Sequence, residues 1–255
     1  MTPILEVKNA SKKYGDFEAL KDISMSVGRG ETRAIIGPNG AGKTTLFKVI
    51  TGETLATSGT IRLAGRDVSK ASADERVRMG MGRTFQIVRV FNDYTPAQNL
   101  QAAIEARHRQ RRGLKGVLSI RPDRDVRDEA QYLLGRVGLD ALRDTPARHL
   151  ALGDRKRLEF ALTLALQPLI LMLDEPTAGM SHLERLAILE LIESSRAEMG
   201  LTIVLTEHDI DFVFRLATSL MVMNFGETVF SGTPQEARES ALVQQVYLGK
   251  EGAHA

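Results

Sequence analysis

The first third of the chain is built of short apolar stretches separated by glycine turns. Ile4–Val7, Ile23–Val27, Thr32–Ile36 and Thr60–Leu63 read as strands, with turns at Gly15, Gly28-Arg29-Gly30 and Gly59, and a helix starts among them at Lys43. From about Ser72 to Leu166 the spacing of apolar positions becomes helical. Thr95-Pro96-Ala97-Gln98 joins a capping box to a proline at the first helical position, which predicts a helix through Arg109; Ser72 and Glu75 mark a second start. From Leu169 onward strands and helices alternate. Leu169–Leu173 and Thr202–Leu205 are continuous apolar runs, as strands buried on both faces of a parallel sheet require. Ser181 and Glu184 cap the helix between them, and Thr233, Pro234 and Glu236 open another near the end. With no internal repeat and no linker-like tract, the helical region reads as an insertion into an α/β core.

One segment carries most of the chemistry. Gly37-Pro38-Asn39-Gly40-Ala41-Gly42-Lys43-Thr44 matches G-x-x-x-x-G-K-[ST], the P-loop, between an apolar strand and a helix. Glycines let successive N–H groups turn toward a polyphosphate, and the helix that follows presents its positive end. Lys43 reaches the outer phosphates and the Thr44 hydroxyl can ligate Mg²⁺. This chain therefore binds a nucleoside triphosphate. The run Leu169–Leu173 ends in Asp174-Glu175, where a strand-end carboxylate can hold Mg²⁺ or its waters, and the second can polarise an attacking water. His208 leaves the next buried strand at the same sheet edge, where ligands of open α/β sheets bind, and could contact the γ-phosphate. Gln86 lies where the core gives way to the helical region.

Composition narrows the picture less. At 255 residues the chain suits one large α/β domain or a core with one inserted subdomain. It has no cysteine, hence no disulfide, thiolate metal site or cysteine nucleophile. Its start lacks the pattern of a signal peptide, and its longest apolar run, Phe160–Leu173, is interrupted by Gln167-Pro168 and too short to span a bilayer. The reading is of a soluble chain. A net charge of +2 says little of partners, but between residues 107 and 127 eight Lys/Arg face two Asp. A solvated helix and loop is the plain reading of that cluster; a dedicated nucleic-acid or lipid contact is the sharper one, with docking on the membrane subunits or an anionic lipid surface as its specific form.

Taken in order, these motifs resemble the ATP-binding subunit of an ABC transporter over nearly the whole chain. The family sequence of aromatic A-loop, Walker A, Q-loop, signature, Walker B, D-loop and H-loop falls on Tyr14, Gly37–Thr45, Gln86, Leu150–Asp154, Asp174-Glu175, Ala178–Ser181 and His208. Gly82-Arg83-Thr84-Phe85-Gln86, Val90-Phe91, Asp174–Ser181 and Tyr247-Leu248-Gly249 look specifically like the branched-chain amino acid importer branch, in the subunit type with the longer helical insertion.

The resemblance implies a P-loop ATPase core, a mostly parallel sheet with an antiparallel β subdomain, carrying a helical subdomain. Residues of about 1–85 and 168–255 would form the catalytic core, and about 86–167 the helical subdomain with Q-loop and signature, within one nucleotide-binding domain of 1–255. It implies ATP and Mg²⁺ as ligands. Tyr14 would stack on adenine; Gly37, Pro38, Asn39, Gly40, Ala41, Gly42, Lys43, Thr44 and Thr45 would hold the phosphates. Leu150, Ala151 and Gly153 would bind the nucleotide of a second cassette. Thr44, Gln86 and Asp174 would hold the metal, and Glu175, His208 and Gln86 would be catalytic.

Implied partners are membrane-spanning permease subunits, a second ATP-binding subunit (a different chain, or a second copy) and, indirectly, a periplasmic or extracellular solute-binding protein. No nucleic acid is expected. The implied place is the cytoplasmic face of the inner membrane, peripherally, in uptake of branched-chain or related hydrophobic amino acids. Urea, amides or aromatic acids are alternative cargoes, and a non-transport ABC ATPase a more distant alternative. Two departures stand out. The usual Leu-Ser-Gly-Gly-Gln signature reads Leu150-Ala151-Leu152-Gly153-Asp154, losing a hydroxyl donor, and Ser181 replaces the D-loop aspartate.

Overall fold

The computed structural model describes residues 2–84, 90–112 and 123–248. The chain divides into two compact units, one of residues 1–83, 169–175 and 193–255 and the other of residues 84–168 and 176–192.

The first unit holds two sheets. Strands β1 (Leu5–Tyr14), β2 (Phe17–Val27), β4 (Ser58–Leu63) and β5 (Arg66–Asp67) form an antiparallel sheet in the order β2-β1-β4-β5. Strands β3 (Thr32–Ile36), β6 (Met81–Thr84), β7 (Ile170–Asp174), β8 (Ile203–Thr206), β9 (Ser219–Asn224) and β10 (Glu227–Gly232) form the other, ordered β10-β9-β3-β8-β7-β6. Within it β3 pairs in parallel with both β8 and β9, and β7 with β8, while β9 and β10 form an antiparallel hairpin. All five residues of β7 and all four of β8 are buried, as their unbroken apolar runs predict. Helix α1 (Lys43–Thr51) packs Leu46, Phe47, Val49 and Ile50 into one core with Leu5, Ile23 and Ile61 of the antiparallel sheet and Ile35, Met172 and Val204 of the parallel one.

The strands at the start are longer than the sequence pattern indicates. β1 runs to Tyr14 because it is bulged, with register shifts after Val7, Ala10 and Lys12. Asn9 sits at φ 49° and donates through Nδ2 to Asp22 Oδ1 at 2.6 Å. Each bulge inverts the in–out alternation, so no single period-two pattern survives beyond Val7. The stretch read as helical from Ser72 also contains β6, four residues between the short helix α2 (Ala73–Arg78) and the second unit. Too short for a period to register, β6 is set by Gly80, whose carbonyl accepts the Leu169 N–H at 2.7 Å.

The second unit is helical: α3 (Pro96–Arg112), α4 (Arg124–Arg136), α5 (Leu152–Ala165) and the start of α6 (His182–Met199). Thr95 and Gln98 exchange the two bonds of the capping box, and Ser181 and Glu184 do the same for α6. Buried Asn99 ties the preceding loop down: it accepts from the Phe91 N–H and donates to the carbonyls of Phe91, Tyr94 and Thr95.

Both sequence readings of the basic stretch treat it as surface, and for Arg107 that is wrong. Its guanidinium is buried, grips both oxygens of Glu129 at 2.5–2.7 Å and donates to the Ala165 carbonyl at the end of α5. It fastens α3 to α4 and α5. Side chains from 110 to 122 lie outside the described residues. The remaining helices, α7 (Ile210–Leu216), α8 (Pro234–Glu239) and α9 (Ala241–Leu248), belong to the first unit. Among the described residues no helix is long and apolar enough to cross a membrane.

Candidate nucleotide site

The site grows out of the ends of β3, β7 and β8. After β3 the chain turns through Gly37–Gly42, whose glycines are demanded sterically. A Cβ on Gly37 would lie 2.2 Å from the Met223 carbonyl oxygen, and Gly42 sits at φ 99° with its missing Cβ 2.8 Å from the Ala19 carbonyl. Any side chain at either position would push the loop off the β9 strand or off the antiparallel sheet. The Gly226 N–H donates to the Ala41 carbonyl at 3.0 Å and fixes the loop from the β9–β10 turn. Gly42 caps α1 with no side-chain acceptor, so the first amides of α1 remain directed at the space above the loop.

Lys43 is buried and folds back over the loop, its Nζ donating to the carbonyls of Gly37 at 2.6 Å and Pro38 at 3.1 Å. Burial pulls its pKa below the ordinary lysine value, against the opposing pull of the Glu175 and Asp174 carboxylates. The Thr44 hydroxyl lies on an exposed residue and Thr45 is half-buried.

At the end of β7, Asp174 is buried and Glu175 turns into the left-handed region at φ 48°. For a non-glycine residue that conformation costs on the order of 1–2 kcal/mol. Thr206, the last residue of β8, holds both acids. Its hydroxyl donates to Asp174 Oδ1 at 2.7 Å and accepts the Glu175 N–H at 3.2 Å, and its carbonyl accepts the same N–H at 3.1 Å. The turn aims the Glu175 side chain at His208, with His208 Nε2 2.9 Å from Glu175 Oε1. An ionised carboxylate only accepts, so the proton of that bond sits on Nε2.

A cleft of about 250 Å³ joins these parts, lined by Phe17, Ala19, Asn39 to Thr45, Glu175 and His208. The structure thus brings Asn39, Gly40, Ala41, Gly42, Lys43, Thr44, Thr45, Glu175 and His208 to one cleft, with Asp174 beneath.

Phe17 takes a place in that cleft which sequence reasoning gave to Tyr14. The two face each other at the turn end of the β1–β2 hairpin, both exposed, but Tyr14 does not line the cleft and instead carries Lys12 Nζ 5.0 Å from its ring centre. The signal missed was the hairpin: an aromatic on each side of Gly15-Asp16. Thr206 was missed too, since only strand pairing brings it to Asp174. Gln86 lies outside the described residues.

Leu150, Ala151 and Gly153 lie in the second unit at the start of α5. Ala151 is the N-cap and has no side-chain bond to the first turn, while Glu184 approaches so closely that a Cβ on Gly153 would stand 2.9 Å from its Oε1. Lys156, one turn on, donates to the carbonyls of Pro176 and Ala178 and so fixes the turn before Ser181.

Comparison with known proteins agrees with this arrangement. The family model described as ABC transporter matches residues 20–178. The chain is 36% identical over 252 residues to the high-affinity branched-chain amino acid transport ATP-binding protein BraF of Pseudomonas aeruginosa, covering 97% of this chain and 98% of the relative. It is 38% identical over 254 residues to the corresponding protein LivG of Salmonella typhimurium, with the same coverage. Among solved structures, the ADP conformation of MJ1267, an ATP-binding cassette of an ABC transporter, superposes with a TM-score of 0.83 at 29% identity, covering 98% of this chain and all of that one. A P-loop on β3, a strand-end acid pair on β7 and a histidine after β8, matched by similarity along nearly the whole length, make this chain a member of the ABC transporter family, one of its ATP-binding ATPase cassettes.

Proposed function

We propose that the chain is the ATP-hydrolysing motor of an importer for branched-chain or related hydrophobic amino acids. The observation that carries this reading is the near-full-length similarity to two ATP-binding proteins of branched-chain amino acid transport. The first unit is the catalytic core and the second the helical subdomain that carries the signature.

In this reading the P-loop amides and the open end of α1 hold the β- and γ-phosphates. Lys43 exchanges its two carbonyl acceptors for phosphate oxygens. Phe17, with Tyr14 beside it, offers aromatic surface to the base. The donor set suits a magnesium ion, which takes one or two carboxylates plus substrate phosphates and keeps several waters. Asp174 offers the carboxylate, Thr44 an exposed hydroxyl, and Gln86 is the third candidate. Among the described residues no cluster of three or more His, Cys, Asp or Glu competes for a metal. When bound, the ion would neutralise charge building up on the phosphates.

Glu175 takes the proton from the attacking water. His208 Nε2–H, already on the Glu175 carboxylate, holds that base in one rotamer and reaches toward the γ-phosphate. Leu150, Ala151 and Gly153 serve the nucleotide of a second cassette, through the uncapped amides of α5 and without the usual serine. Its partners are that second cassette and membrane-spanning subunits, with a solute-binding protein acting through them, and it sits peripherally on the cytoplasmic face.

The test is reconstitution of the chain with its membrane subunits, second ATPase and solute-binding protein in proteoliposomes. Leucine, isoleucine or valine should stimulate ATP hydrolysis and accumulate. Stimulation by urea, an amide or an aromatic acid instead would reassign the cargo, and no solute-dependent hydrolysis would overturn the importer reading.

A further inference from the structure

Arg83 occupies a place the mechanism above does not use. It is the third residue of β6, beside β7 in the parallel sheet, and its side chain is only 10% exposed. Its guanidinium meets three groups of the first unit. Nη2 lies 3.6 Å from Asp174 Oδ2, the oxygen opposite the one bonded by Thr206. Nη1 donates to Thr51 Oγ1 at 3.1 Å and forms an ion pair with Glu53. Thr51 is the last residue of α1, and Glu53 follows the left-handed Gly52 that ends it.

The Asp174 carboxylate is therefore held from two sides, by a hydroxyl on Oδ1 and a cation facing Oδ2. An isolated buried carboxylate is costly unless paired and hydrogen-bonded. Arg83 supplies the counter-charge, and its anchors lie at the far end of the helix whose start holds the phosphates. The planar fork is what makes this possible: Nη1 and Nη2 face different partners, whereas a lysine's three donors radiate from a single nitrogen. The anchors matter as much as the charge. A free arginine would swing to the strongest anion present, whereas one pinned by Glu53 and Thr51 stays beside Asp174 when the cleft fills.

We propose that Arg83 is a positioning residue for Asp174, holding its carboxylate in the rotamer that receives the divalent ion while being itself anchored to the end of α1. This rests on the reading of Asp174 as the metal-holding carboxylate. It separates two contributions to nucleotide binding: P-loop contacts, which need no metal, and the metal-dependent increment, which runs through Asp174.

The experiment measures affinity of the full chain for a fluorescent ATP analogue, in EDTA and in excess Mg²⁺, for wild type, Arg83→Gln, Arg83→Lys and Glu53→Gln, with thermal midpoints alongside. Residues supporting metal ligands typically contribute about 10–100-fold in metal affinity. Arg83→Gln should leave the metal-free affinity within about twofold of wild type and cut the Mg²⁺-dependent increment by about tenfold. Arg83→Lys and Glu53→Gln should each lose part of that increment, Arg83→Lys through its lost fork and Glu53→Gln through its lost anchor.

Equal loss of affinity with and without metal, tracking the thermal midpoint, would make Arg83 a structural residue and overturn the proposal. So would an unchanged increment in Arg83→Gln. Should wild type itself bind no nucleotide, or show no Mg²⁺ increment, it is the site assignment that fails, an outcome distinct from either of these.

Discussion

Arg76 offers the sharpest test of what holds α1, the helix that follows the P-loop, in place. It is fully buried, and its guanidinium is spread over backbone carbonyls: Nη1 to Val49 at 2.7 Å and Ile50 at 2.6 Å, Nε to Ala71 at 3.1 Å, and Nη2 to Ser69 at 3.4 Å. Val49 and Ile50 lie in the last turn of α1, whose carbonyls lack intrahelical donors and carry the negative end of the dipole. Burial lowers the pKa of Arg76, but a guanidinium remains charged at any ordinary pH. Replacing it with methionine keeps the stem volume and removes every donor. Each stranded buried carbonyl costs about 1–3 kcal/mol, so the Val49 and Ile50 pair accounts for about 2–6 kcal/mol. Relief from burying a charge offsets part of this, leaving about 2–4 kcal/mol. With a urea slope of about 2–3 kcal/mol per molar, the unfolding midpoint of the unit containing α1 should fall by roughly 0.7–2 M. Arg76→Lys, able to reach fewer of the four carbonyls, should fall between. Circular dichroism against urea, with bound fluorescent nucleotide as a second probe of α1, reads both. A midpoint for Arg76→Met within about 0.3 M of wild type would refute the reasoning, because the carbonyls would then have found water or other donors.

Three other outcomes follow from named contacts. Lys43→Ala should abolish tight MgATP binding in a filter or fluorescence assay, since the loop loses its only side-chain cation; near-normal affinity would sink the phosphate role. Glu175→Gln should bind ATP as wild type does but hydrolyse it roughly 10²–10⁴-fold more slowly, and should accumulate as an ATP-bound dimer on a sizing column; unchanged turnover would transfer the base role to another group. The hydrogen bonds from Arg107 hold the Glu129 carboxyl below the ordinary glutamate value, against a smaller rise from burial. A carboxylate with a depressed folded pKa contributes stability above its unfolded pKa and loses it as pH falls through the folded one. The urea-midpoint gap between wild type and Glu129→Gln should therefore be widest at neutral pH and close as pH drops below about 4; a gap independent of pH would count against the ion pair.

What the sequence made legible is what it writes contiguously. The P-loop, its strand and its helix occupy adjacent residues, and its glycines stand where close backbone contacts (Gly37, Gly42) or a left-handed φ (Gly40) call for them. The four capping boxes behave the same way, since their reciprocal bonds join residues three apart. Strands β7 and β8 were legible because burial on both faces leaves an unbroken apolar run. The bulged strand β1 was not, because each register shift resets the alternation that a reader counts.

The remaining parts of the site depend on pairing across the sheet. Asp174 and Glu175 are adjacent in the chain, and a continuous strand would point them to opposite faces. They serve one site because Glu175 leaves the strand in a left-handed turn, and that turn is held by Thr206, 31 residues further on. Nothing near Glu175 in sequence announces a positive φ, for glutamate is a poor choice for one. The strain persists because three bonds over-determine it: two from its own N–H to Thr206 and one from His208 to its carboxylate. A carboxylate placed this way is stiff before any substrate arrives, as the proposed role of a general base reaching for one water would require. The hairpin aromatics follow the same logic. Tyr14 precedes the glycine and Phe17 follows it, and only the strand pairing decides that Phe17 is the ring lining the cleft.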